Sequence, residues 1–315
     1  MLYGNYRFHI RFETEAELPP YKGSTIRGVF GHALKRTVCV LRHQECPACI
    51  LRRKCLYTQV FETPLSLPEN TATRNGSVPH PFVIEPPLDP SISYRPGDTL
   101  ECGLLLFGEV NLMLPYFIHG FEEMGRIGIG RRGPGGRPGY FRLMEVVSGN
   151  RLLYSTTDGR LRAEGATEEL DLTHRDGGGK TDSVQVDLKT PLRFKREGRL
   201  SDGLPFETLV RLMLRRISSL MEAFGEGEPD LDYRGLVTRA GAVSADFCEL
   251  RWIDWERYSN RQKLRMQLGG LTGAVTYRGL LEEFLPLLEF ATKTHIGKQT
   301  SFGLGRIAFE AKPNR

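Results

Sequence analysis

The chain runs through its secondary-structure signals twice, in the same order. "YRFHIRFET" (6–14) alternates like a strand, and "GSTIRGVFGHALKRTVCVL" (23–41) has the spacing of an amphipathic helix. "DTLECGLLLFG" (98–108) reads as a strand, and "VNLMLPYFIHGFEEMG" (110–125) as a helix leading into the glycine-rich "GRIGIGRRGPGGRPGYFRLMEV" (125–146). At 183 the order restarts: strand "SVQVDLKTPLRFK", helix "LPFETLVRLMLRRISSLMEAFG" (204–225), one or two strands in "RQKLRMQLGGLTGAVTYRG" (261–279), helix "LLEEFLPLLEFATKT", glycine stretch, strand "RIAFEA". The local echo is strongest between "LPYFIHGFEEMGRIGIG" and "LPLLEFATKTHIGKQTSFGLG": Gly125 follows Pro115 by ten residues, Gly297 follows Pro286 by eleven, and a G-x-G pair comes next in both. So long a period excludes a short solenoid repeat, and it is what a duplicated α+β domain of the split-βαβ, ferredoxin-like kind leaves behind. The expected organisation is two tandem domains, 1–150 and 183–315, joined by a hairpin and linker over 151–182.

A length of 315 residues accommodates two cores of ordinary size. No apolar run approaches the roughly eighteen residues of a membrane span. "MLYGNYRFHIRFE" lacks the apolar core and cleavage site of a signal peptide, so a cytoplasmic protein without membrane partners is expected. In the first helix Ser24 is the expected cap, and Ile26, Val29, Phe30, Ala33, Leu34 and Val38 form the buried stripe. Arg27, His32, Lys35 and Arg36 are left for the solvent side.

Cys39, Cys46, Cys49 and Cys55 form a C-x6-C-x2-C-x5-C segment. A C-x2-C turn presents two thiolates to one metal ion, and two more within loop reach complete a tetrahedral set. The expectation is a structural four-cysteine metal-binding insertion holding zinc, with an iron–sulfur cluster, three cysteines plus His43, or four reduced thiols without metal as alternatives. Cys102 and Cys248 stand alone and read as buried thiols.

Other motifs fail on context. "GGGKT" (177–181) has His174 where a phosphate-binding loop requires glycine, and "GRIGIG" opens no helix inside a strand–helix–strand unit, so no nucleotide cofactor is implied. No Ser-His-Asp set can be defended and no carboxylates cluster as in two-metal nucleases, so no catalytic metal is expected. A net charge of +5 and a pI near 8.9 permit a polyanionic partner. Basic residues gather where backbone amides are least shielded: Arg126, Arg131, Arg132 and Arg137 in the first glycine loop, Lys298 and Arg306 around Gly303 and Gly305 in the second. Arg211 and Arg215 add a basic helix face. Of seven histidines, His9, His80, His119 and His174 take a structural or surface role by default. His32, on the basic helix face, His43, between two cysteines, and His295, before the second glycine loop, are better placed for chemistry.

The combination of "STIRGVFGHALKRTVC", the cysteine segment ending "CLYTQVFET", the restart "LKTPLRFK", "YSNRQKLRMQLGGLTGAVTY" and the terminal "HIGKQTSFGLGRI" resembles the CRISPR-associated RAMP superfamily. Within it, the chain is similar to the endoribonucleases that process precursor CRISPR RNA. The resemblance implies tandem ferredoxin-like, RNA-recognition-like domains and metal-independent cleavage of repeat RNA by its own 2′-OH. It also implies a catalytic histidine in or just after the first helix, with a tyrosine and a lysine nearby, which points to His32 or His43 with Tyr21 and Lys35. His295, with Lys298, is the alternative in the C-terminal domain. The non-catalytic reading of the same resemblance is a RAMP subunit that binds guide RNA inside a CRISPR interference complex.

Overall fold

A computed structural model describes residues 1–67, 78–131, 136–172, 181–196, 199–200, 203–254, 256–259 and 264–313. Two compact units emerge: Met1–Glu169 with Ala223–Gly225, and Leu170–Glu222 with Glu226–Arg315.

In the first unit the chain passes through β1 (Leu2–Phe12), β2 (Ala16–Glu17), α1 (Gly23–Val38), α2 (Leu56–Phe61) and α3 (Thr63–Ser66). It continues through β3 (Phe82–Glu85), β4 (Ser93–Tyr94), β5 (Thr99–Phe107), α4 (Leu114–Ile127), β6 (Phe141–Ser148), β7 (Arg151–Ser155) and β8 (Thr167–Glu169). The principal sheet runs β3-β5-β1-β6-β7, all antiparallel. Its first four strands, with α1 and α4 as the two helices, have the order of a split βαβ unit. Period-two alternation sends Tyr6, Phe8, Ile10 and Phe12 of β1 into the core and leaves Asn5, Arg7, His9 and Arg11 on the other face. The core closes on aromatic rings, with Phe8 stacked on Phe121 at 4.1 Å and Phe30 against Phe121 at 4.9 Å.

The second unit passes through β9 (Thr181–Leu192), the short pair β10 (Lys195–Arg196) and β11 (Arg199–Leu200), α5 (Phe206–Phe224) and α6 (Tyr233–Ala240). Then come β12 (Ser244–Ile253), the hairpin β13 (Glu256–Ser259) and β14 (Leu264–Gln267), β15 (Gly270–Arg278), α7 (Leu285–Thr294) and β16 (Ile307–Pro313). The order β12-β15-β9-β16 is the same split-βαβ order again. Phe206 packs on Tyr277 at 4.9 Å and on Phe284 at 5.0 Å, and the Tyr277 hydroxyl donates to the Leu204 carbonyl at 2.7 Å.

Several local expectations change. Helix α1 stops at Val38 where Cys39 turns extended, and it begins after Lys22 with no side-chain cap among the described residues, so Ser24 lies inside the first turn. Within 151–182, β7 forms the expected hairpin with β6 and β8 pairs with β1, so the first unit extends to Glu169; residues 173–180 lie outside the described residues. No helix among the described residues is long and apolar enough to cross a membrane.

Candidate nucleic-acid interface

Helices α1 and α4 lie side by side because Gly120 lets the Phe30 ring close in; a Cβ there would stand 3.1 Å from it. Their outer faces make one surface of alternating charge. Glu123 collects Arg36 at 3.0 Å and Arg126 at 3.4 Å. Glu122 accepts from the Tyr154 hydroxyl at 2.6 Å and faces His119 Nδ1 at 3.1 Å; burial first, then Glu122, pushes the Tyr154 phenol up to about 12. His32 is exposed on α1. The cations expected beside it are engaged elsewhere, Arg36 with Glu123 and Lys35 over the Tyr57 ring at 5.3 Å. The grouping of His32, Lys35 and Arg36 that helix spacing suggested is therefore not assembled.

Tyr21 is half-buried, and burial followed by the Glu85 carboxylate holds its phenol well above the usual range. The phenol therefore holds its proton and can donate a hydrogen bond, but it gives that proton up reluctantly. Its neighbour Lys22, which no local pattern singles out, is buried and donates from Nζ to the Asp89 carbonyl at 2.8 Å and the Pro20 carbonyl at 3.3 Å. His80 is the histidine with the most partners in this unit: Arg27 Nη2 at 3.3 Å and Thr63 Oγ1 at 3.1 Å, which stitch its segment to α1 and α3. His43 lies exposed in the turn after α1. The four cysteines of that segment are half-buried free thiols, and no three His, Cys, Asp or Glu side chains among the described residues stand in metal-ligand geometry.

The glycine loops depart furthest from expectation. In the first, Gly130 (φ 87) approaches Glu17 so closely that a Cβ would stand 2.3 Å from its carbonyl oxygen. The Arg131 amide donates to that carbonyl at 2.9 Å, and its side chain pairs with Glu17 at 3.1 Å. Arg137 is exposed, and Arg132 lies outside the described residues. In the second loop Gly303 and Gly305 are buried, and their amides donate to Thr300 and Pro191 carbonyls at 2.7 and 3.0 Å. With both amides spent on the protein's own carbonyls, these two glycines are not a phosphate cradle. His295 is 0% exposed, has φ 58, and its Nδ1 sits 3.1 Å from the Leu304 carbonyl, so it pins the turn and cannot reach a scissile phosphate. Lys298 remains exposed, Arg306 is half-buried, Arg211 pairs with Glu207 at 2.7 Å, and Arg215 is exposed on α5.

The neighbouring Arg216 points inward. Its Nε and Nη2 donate to the Thr294 carbonyl at 3.1 and 2.8 Å, satisfying an orphan carbonyl at the end of α7. Burial pulls its guanidinium down to about 9, which leaves it charged at neutral pH. Arg216→Ala is expected to destabilise the second unit by about 2–4 kcal/mol, because a buried acceptor loses both donors and a cavity opens. Denaturant unfolding measures this, and an unchanged midpoint would show the contact to be idle.

Residues 1–166 match the AF_1859_N family, described as an N-terminal domain, and residues 186–307 match the family described as CRISPR-associated endoribonuclease Cas6. The chain belongs to the family of the N-terminal match, and its residues 186–307 are similar to the Cas6 endoribonuclease family. The Cas6 match starts inside β9 and ends at the first residue of β16, so it takes in the full split-βαβ order of the second unit. An uncharacterised protein of Archaeoglobus fulgidus is 26% identical over 299 residues, 91% of each chain. Among solved structures, Thermus thermophilus Cas6 (TTHB231) aligns with a TM-score of 0.55 at 16% identity, covering 98% of both chains. A partial Cas6-RT-Cas1–Cas2 complex aligns with a TM-score of 0.57 at 14% identity, over 99% of this chain and 46% of that one. At these identities the structural likeness establishes that a Cas6-type fold runs through both units.

Proposed function

We propose that this chain cuts precursor CRISPR RNA within the repeat, using the RNA's own 2′-OH and no metal at the scissile phosphate. A base takes the 2′-OH proton and the freed oxygen attacks the adjacent phosphorus. The bond from phosphorus to the 5′ oxygen breaks, and an acid protonates that leaving oxygen. The products are a 2′,3′-cyclic phosphate and a 5′-hydroxyl. The observation that carries the reading is the Cas6 endoribonuclease match to residues 186–307. Imidazole is suited to both proton roles near neutral pH, and nearby cations would stabilise the charge that builds on the phosphate.

His43 is the histidine best placed for this work. It is exposed in a segment that also carries Arg42, Arg52, Arg53 and Lys54, whereas the cations beside His32 are committed to Glu123 and Tyr57. Arg137, Arg215 and Lys298, all exposed, are the first candidates to follow the RNA backbone.

Incubation of the purified protein with repeat RNA in excess EDTA is expected to give a single cut with cyclic-phosphate ends. Cleavage that EDTA abolishes and magnesium restores, or no cleavage of any of several repeats, would overturn the proposal. One observation favours a second reading, a non-catalytic RAMP subunit holding guide RNA in an interference complex: neither His32 nor His43 meets a hydrogen-bond or ion-pair partner among the described residues. That reading predicts salt-dependent RNA binding with no product.

A further inference from the structure

Residues 39–55 have almost nothing apolar to fold around. Val40 and Ile50 are 77% and 83% exposed, and the single helical turn Cys46–Ala48 buries no residue. Of these seventeen residues only six are even partly shielded: Leu41, Arg52 and the four cysteines. A segment of this size with no core of its own is usually held by a disulfide or a metal, and all four thiols are free.

The backbone delivers the four thiols from neighbouring short elements. Cys39 follows the last residue of α1, and Cys55 precedes the first residue of α2. Cys46 and Cys49 bracket the turn, with the Cys49 amide donating to the Cys46 carbonyl at 3.2 Å. Cys46 lies within electrostatic reach of Lys35, Glu62, Cys55 and Cys39. The segment sets Arg42, Arg52, Arg53 and Lys54 against Glu45 alone. Beyond Glu45, a surplus of positive charge remains to face a polyanion.

We propose that Cys39, Cys46, Cys49 and Cys55 bind one zinc-class divalent ion as four thiolates, and that the ion fixes residues 39–55 as a rigid basic loop that grips RNA backbone. Each thiol releases its proton to the buffer on ligation, and no electron is transferred. Because the thiols are not gathered in the arrangement described above, binding draws them together by side-chain rotation and closure of an exposed loop with little packing to lose. Four protein ligands fill the tetrahedral shell, so the ion does no chemistry on the RNA. The metal half stands by itself, and the RNA half rests on the function proposed above.

Cobalt(II), titrated alone into metal-free full-length protein, tests the metal half. The expected result is one cobalt per chain, tetrahedral d–d bands, a charge-transfer intensity appropriate to four thiolates, and displacement by zinc. Cys46→Ser should weaken cobalt affinity at least tenfold, and Cys102→Ser should leave it unchanged. No charge-transfer band, or a band that Cys46→Ser leaves intact, overturns the site; should Cys46→Ser fail to fold, the thiolate count in the unmodified chain still decides. Visible absorption from an iron–sulfur cluster in the purified protein overturns the zinc assignment.

For the RNA half, zinc-loaded protein should bind repeat RNA about tenfold more tightly than metal-free protein, with a steeper salt dependence. Equal affinity and equal slope overturn the grip while leaving the metal site standing. Cobalt binding without any RNA affinity overturns both the grip and the function proposed for the chain.

Discussion

Replacing His43 by alanine is expected to slow cleavage of repeat RNA about 10²–10⁴-fold while leaving RNA affinity nearly unchanged, the signature of a proton-transfer group acting in the transition state. His32→Ala, on the helix just before it, should lose less than tenfold by the same reasoning. The difference follows from their settings. Both imidazoles are exposed, but His43 shares its segment with Arg42, Arg52, Arg53 and Lys54, while Lys35 and Arg36 next to His32 are held by Tyr57 and Glu123. Single-turnover cleavage and equilibrium binding, measured separately, distinguish the two. A large loss in His32→Ala with little in His43→Ala reverses the assignment, and full activity in both removes these histidines from the chemistry.

The second large effect concerns a glycine. Gly305→Ala is expected to destabilise the second unit by about 3 kcal/mol or more. Its φ of 72° is unfavourable for any L side chain, and the added Cβ would stand 1.8 Å from the Ile296 carbonyl oxygen, a position that neither chain can leave without breaking the bond from the Ile296 amide to the Gly305 carbonyl at 3.0 Å. Gly28→Ala is the control. That residue lies inside α1, its Cβ would meet nothing within 4 Å, and helix propensity alone should stabilise the first unit by about 0.5–1 kcal/mol. Thermal unfolding of the two variants should move in opposite directions. If Gly305→Ala instead melts normally and loses RNA affinity, the loop does present its amides to phosphate after all.

These two cases mark where the sequence stops being readable. The repeated strand and helix order was legible because strands such as β1 bury one face, so the apolar period appears in the residues themselves. Strand β12 escaped for the converse reason: "SADFCELRWI" packs neither face, so no period records it, and α6 is short with only Leu236 and Ala240 buried. The glycine loops were recognisable as places where backbones come close. What they come close to depends on partners far along the chain, the Pro191 carbonyl for the Gly305 amide and the Glu17 carbonyl for Arg131, which no local pattern encodes. His295 misled in the same way. As a residue type it suits catalysis, but the Leu304 carbonyl and complete burial fix it as a structural pin. Cysteine spacing is a property of the local chain, but whether four thiols gather on one ion is not written in it, and in the structure they are free and outside ligand geometry.

Strand β12 also bears on how the protein keeps to itself. Among the described residues it is the outermost strand of its sheet, ten residues long, with Phe247 50% exposed, the kind of edge on which copies of a chain stack into aggregates. Two features blunt it. The register with β15 slips between Ala245 and Phe247, so Asp246 bulges out of the ladder, and its carboxylate is tied to Arg278 at 2.8 Å. A kinked, charged rim presents a poor template to a second strand, so solubility at this edge depends on Asp246 and on the irregular backbone it occupies.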